Sequence, residues 1–200
     1  MNERVRLAGI GAIAGGLLWS VAIVVQQTFS YDKPSSGTGY YVVQVLAMLA
    51  FAGFLVGVQG LDWSRAVSIG RFGRWSLRAF EVGLVVLILA SISILVTRSE
   101  ESPLFPLGGL MIAIAGVLTG IDVARTAALT GWRRFAPLLV ILFYVFGMVI
   151  PIILSTDNGD VAPEIIWGAT WVILGLAYLL PSTGRAMAPS SPPELTKSPS

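Results

Sequence analysis

Six long apolar stretches alternate with short polar ones along the chain, at about 7–29, 40–61, 79–97, 104–122, 136–155 and 164–181. Each is at or near the ~20 residues that a helix needs to cross roughly 30 Å of hydrocarbon. Hydrocarbon offers no water to backbone amides, so an open-ended segment crossing it has to be helical. The pattern predicts an all-α, integral membrane bundle of six transmembrane helices, occupying 1–181 and followed by a tail at 182–200. Prolines punctuate the stretches at their edges (Pro34, Pro103, Pro137, Pro163 and Pro181), where a missing N–H costs least. Pro151 lies one turn inside the fifth stretch and is expected to bend it. The first stretch follows Arg4 and Arg6, as a signal peptide's apolar core would, but it is too long and lacks a small-x-small cleavage site. It is read as an uncleaved first span.

The longest polar interruption is 62–81, where Arg65, Arg71, Arg74 and Arg78 interleave with Trp63, Phe72, Trp75 and Phe80. Its place in the count of basic residues sets the orientation. Eleven of the 13 Lys and Arg residues fall in the N-terminus, this segment, 125–134 and the tail; only Lys33 and Arg98 fall in the alternate segments. The positive-inside rule then puts both termini in the cytoplasm of a bacterial-type plasma membrane, N-in and C-in. Aromatic side chains favour the headgroup region and arginines favour anionic phosphates, so Trp63, Arg65, Arg71, Arg74 and Trp75 are expected to contact anionic lipids of the inner leaflet. Gly70 and Gly73 are expected to divide this segment into two short pieces, the second running into the third span.

Composition removes function classes more than it adds them. The chain is 55% hydrophobic and 12% charged, far from the quarter-charged average of soluble domains. Cysteine and histidine are both absent, which excludes disulfides, thiolate metal sites and histidine-based catalysis. No basic run is long enough to track a phosphate backbone, so no nucleic-acid partner is expected. Gly9-Ile10-Gly11-Ala12-Ile13-Ala14 matches the dinucleotide fingerprint by letter, but it lies inside a span with no preceding strand. Asp157-Asn158-Gly159-Asp160 lacks calcium-loop spacing and is read as a solvated turn before the sixth helix. Neither an enzyme nor a cofactor is expected. The tail is Pro- and Ser-rich without apolar periodicity and is expected to be a disordered cytoplasmic end.

Helical spacing sorts the remaining residues by face. Ala8, Ala12, Gly15, Trp19, Ala22 and Gln26 form one stripe of the first span, while Ile10, Ile13, Leu17, Val21 and Val24 suit lipid. Small residues recur at Ala50, Gly53, Gly57 and Gly60, at Gly109, Ala113, Gly116 and Gly120, and with Trp171 at Gly168 and Gly175. In lipid such stripes let backbones approach; packing within the chain is the plain reading, and a seam with a second copy or another membrane protein the sharper one. Arg78–Glu81 and Asp122–Arg125 place opposite charges three residues apart near the inner face, as interfacial salt bridges or as a proton-relay pair. Toward the outer face, Gln26 and Gln44 lie inside their spans near Trp19. They either bond to each other or line a shallow uncharged vestibule, with Trp19, Gln26, Gln44 and Trp171 as candidate ligand contacts. The expected role is a membrane interaction or assembly component; the alternative is a small permease or lipid-handling carrier built around that vestibule.

Overall fold

The computed structural model describes residues 2–28, 37–67, 70–98, 102–126, 129–154 and 161–180. The tail at 182–200 and the 157–160 turn lie outside the described residues. All regular structure among them is helical, and six helices are long and apolar enough to cross a membrane. We number them α1 (Glu3–Thr28), α2 (Thr38–Trp63), α3 (Arg71–Thr97), α4 (Leu104–Thr126), α5 (Gly131–Ile153) and α6 (Ala162–Leu179). Helix α5 is composite: a 3-10 turn at Gly131–Phe135, an α-helix to Tyr144, a π-helical stretch at Val145–Val149, then a last α-turn, Ile150–Ile153.

Several helices overrun their apolar stretches, because backbone hydrogen bonding does not stop where hydropathy does. Helix α3 begins at Arg71, with Gly70 as its extended N-cap (φ −62°, ψ 160°), and Gly73 sits buried inside it. The second piece of the 62–81 segment is thus continuous with the third helix, whereas residues Ser64–Val67 form a turn and no helix. That turn closes α2 with the two bonds of a Schellman motif, Ala66 N to Leu61 O at 2.9 Å and Arg65 N to Asp62 O at 3.0 Å. Arg65 takes the left-handed position at φ 54°, a place glycine usually fills. The Thr126 hydroxyl donates to the Ala66 carbonyl, tying the end of α4 to this turn.

The helices form a ring in chain order: each packs on its sequence neighbours, and α6 closes the ring against α1. Helix α1 is therefore held on two sides. Toward α2, Gly53 stands so close that an added Cβ would lie 2.7 Å from the Gly11 carbonyl oxygen and 2.8 Å from Gly15 Cα. Toward α6, Gly175 meets the Gly9 carbonyl and Ile13, and Gly168 meets Gly16 and Ser20. The small-residue stripes are thus filled within one chain. Ile10, Leu17, Val21 and Val24 are exposed as their spacing predicts, but Ile13 is half-buried against Gly175. A helix with two neighbours buries a wider arc than one stripe.

Aromatic rings fill the centre of the ring of helices. Phe54 stacks on Trp171 with centroids 4.1 Å apart and planes 11° from parallel. Trp167, one turn before Trp171, meets Phe54 and Trp19 edge-on, each at 5.1 Å, and Tyr144 at 5.0 Å. Such offset and edge contacts are the favoured geometries of ring quadrupoles, about 0.5–1.5 kcal/mol each beyond area burial. They join α1, α2, α5 and α6 across the middle.

Candidate functional site

Above this aromatic floor, at the end of the bundle away from both termini, the interior opens into a cavity of about 540 Å³. All six helices contribute to it. Trp19 of α1, Phe51 of α2, Leu87 of α3 and Trp167 of α6 form its deep wall. Phe105, Pro106, Gly109 and Leu110 of α4 form one flank, and Tyr144, Met148, Val149, Ile152 and Ile153 of α5 the other.

The cavity lies where α4 and α5 pack least closely. At the end nearer the termini, Gly120 and Gly116 let α5 approach closely enough for Leu138 and Ile141 to fill the spaces over them. The last close approach is at Gly109, where an added Cβ would meet only the Tyr144 hydroxyl. Immediately beyond Tyr144 the α-helix widens into π geometry, and Pro151 follows one turn later. A proline ring clashes with the carbonyl four residues before it, here Gly147, and a widened turn relieves that clash. Beyond the π stretch Ile152 and Ile153 are 63% and 71% exposed, and Leu110 across from them is 55% exposed. The exposed lining residues therefore place the cavity's mouth between α4 and α5, edged by aliphatic side chains.

The walls carry almost no polarity. None of the lining side chains is charged. The Trp19 indole N–H is already committed, donating to the Glu164 carbonyl at 3.1 Å. The Trp167 indole nitrogen is buried and makes no hydrogen bond among the described residues, enclosed by Trp19, Phe54 and Tyr144. Tyr144 supplies the one hydroxyl of the lining; it makes no hydrogen bond among the described residues and stands against Gly109.

Of the residues singled out by spacing, Trp19 lines the cavity. Trp171 lies a turn deeper, fully buried under Trp167 in the aromatic floor. Gln44 is buried on α2 and Gln26 half-buried on α1, and neither lines the cavity. Sequence reasoning missed Trp167 and Tyr144. The four-residue spacing of Trp167 and Trp171 marks a shared face and could have flagged the first; nothing local flags Tyr144.

The charged candidates gather at the opposite end. Arg78 donates to Glu81 Oε2 at 2.6 Å and reaches Asp62 Oδ2 of α2 at 3.4 Å. Glu81 is buried while Arg78 is largely exposed, so the pair straddles the surface of the bundle. Asp122 is half-buried and Arg125 exposed at the end of α4. At this same end Arg71, Phe72, Arg74 and Trp75 are exposed on the first turns of α3, Trp75 by 75%; Trp63 is half-buried and Arg65 exposed. A second group accompanies them at the start of α5: Trp132 and Phe135 are exposed, with the Arg134 guanidinium 4.6 Å above the Phe135 ring.

No family model matches this chain, and no curated protein or solved structure does.

Proposed function

We propose that this chain is a multi-pass membrane protein that takes a single lipid chain from the bilayer into its central cavity, and so acts as a lipid-handling carrier or receptor. The observation that carries the reading is the aliphatic-edged mouth between α4 and α5 leading into a space of about 540 Å³ whose lining side chains are all uncharged. A mouth of this kind is poor for water-borne solutes and good for hydrocarbon, and the volume lies in the ordinary range of small-molecule sites. At a liquid-density share of roughly 30 Å³ per water-sized group, such a space holds on the order of eighteen heavy atoms, one chain and not two. With both termini cytoplasmic, by the excess of arginine at that end, the cavity opens at the level of the outer leaflet.

The test is saturable binding of radiolabelled hexadecanol to the purified protein in detergent. An added Cβ at Gly109 would meet only Tyr144, and Gly109 lines the cavity, so Gly109→Leu is designed to fill the space from within. One-to-one binding in the native chain and its loss in Gly109→Leu, with an unchanged circular dichroism spectrum, is the expected result. No saturable component in the native chain refutes the reading.

A second reading, a component of a membrane assembly, has its own support at the other end. Phe72, Trp75, Trp132 and Phe135 are exposed there among arginines, a composition that suits either anionic headgroups or a protein partner.

A further inference from the structure

The cavity's chemistry narrows what it would hold. A plain acyl chain needs only smooth aliphatic walls, but five of the lining side chains are aromatic: Trp19, Phe51, Phe105, Tyr144 and Trp167. Their faces suit a flat, conjugated ring, which stacks or meets them edge-on as they already meet each other. A charged head is disfavoured, because no lining side chain carries the opposite charge and an unpaired ion in this space is costly. Among the described residues two lining groups make no hydrogen bond: the Trp167 indole N–H, enclosed by Trp19, Phe54 and Tyr144, and the Tyr144 hydroxyl, which stands nine positions, about 13 Å, before Ile153 at the end of α5. The aliphatic mouth at Leu110, Ile152 and Ile153 leaves a path for a long tail to trail outward.

We infer that the ligand is a neutral, ring-bearing isoprenoid lipid of the quinone type, entering ring-first, with a ring carbonyl accepting a hydrogen bond from Tyr144. The volume fits a substituted quinone ring with the first part of its tail. Gly109 serves this arrangement by leaving the Tyr144 hydroxyl room: an added Cβ would stand 2.6 Å from it. The inference rests on the lipid-chain reading above and adds the identity of the head and its anchor.

Quenching of tryptophan emission by decylubiquinone tests it, since Trp19 and Trp167 would touch the bound ring while dilute quencher in detergent adds only a linear background. The expected result is saturable one-to-one quenching that hexadecanol displaces poorly. Tyr144→Phe keeps the ring and the volume and removes only the donor. It should weaken decylubiquinone binding by about five- to tenfold, the effect of one lost neutral hydrogen bond, and leave hexadecanol binding unchanged. Equal quinone affinity in Tyr144→Phe overturns the anchor, and hexadecanol competing on equal terms overturns the ring preference, while the lipid-chain reading stands in both cases. If neither compound binds saturably, both proposals fall.

Discussion

The closest backbone contact between α1 and α2 gives the sharpest stability prediction. A methyl group added at Gly53 would stand 2.7 Å from the Gly11 carbonyl oxygen, 2.8 Å from Gly15 Cα and 2.9 Å from Gly15 N. All three are backbone atoms, so no side chain can turn aside. Ordinary contact begins near 3.4 Å, and the two helices must part by about 0.7 Å. A gap of that size forfeits a quarter to a half of each dispersion contact along the seam, and overpacking of this kind costs typically 1–3 kcal/mol. Against it stands the better helix propensity of alanine, about 1 kcal/mol. With the steric cost at the upper end of its range, Gly53→Ala is destabilised by about 1–2 kcal/mol, lowering the melting midpoint by roughly 2–8 °C for a chain of this size. Gly147→Ala is the matched control, since its new methyl meets only the Pro163 Cβ at 3.4 Å. There no backbone atom stands in the way of the new methyl, and the midpoint should hold. Thermal unfolding in detergent, followed by circular dichroism at several scan rates, reads both. A Gly53→Ala protein that melts at or above the native midpoint refutes the claim that this seam is packed backbone to backbone.

Three further outcomes are expected. In a double-mutant cycle on Arg78→Ala and Glu81→Gln, the Arg78 change alone should cost more, because it leaves a buried carboxylate without its 2.6 Å partner, and the coupling should be about 1 kcal/mol; additive losses would mean the pair does not interact in solution. Emission of Trp75 and Trp132 should shift to the blue in anionic nanodiscs and not in neutral ones, and salt should weaken the shift; spectra indifferent to lipid charge would favour a protein partner at this end. Reporter fusions after Arg6, within 65–78, within 125–134 and after Pro181 should all report cytoplasm, and a periplasmic signal at any of them would break the proposed six-span topology.

The six helices were legible in the sequence because the information is local: about twenty apolar residues in a row decide both helicity and length without reference to any neighbour. The faces were legible as far as one stripe per helix. Gly53, Gly57 and Gly60 do face small residues of α1, as their spacing implies. What spacing cannot carry is how many partners a helix has. Ile13 reads as membrane-facing on a helix with one neighbour, and it packs on Gly175 because α6 returns to close the ring on α1's other side. Asp62 joins Arg78 for the same kind of reason, across the α2–α3 turn and 16 residues away in sequence. The cavity is the clearest case. Periodicity pointed to Trp19, which lines the cavity, and then to polar neighbours that do not, since buried glutamines are locally conspicuous. The space itself lies beside the widened turn of α5 before Pro151, lined there by Met148, Val149, Ile152 and Ile153 and by Tyr144, which faces Gly109. Proline marks in sequence that a helix must yield, but which neighbour it then leaves, and what side chains line the gap, depend on packing among all six helices at once.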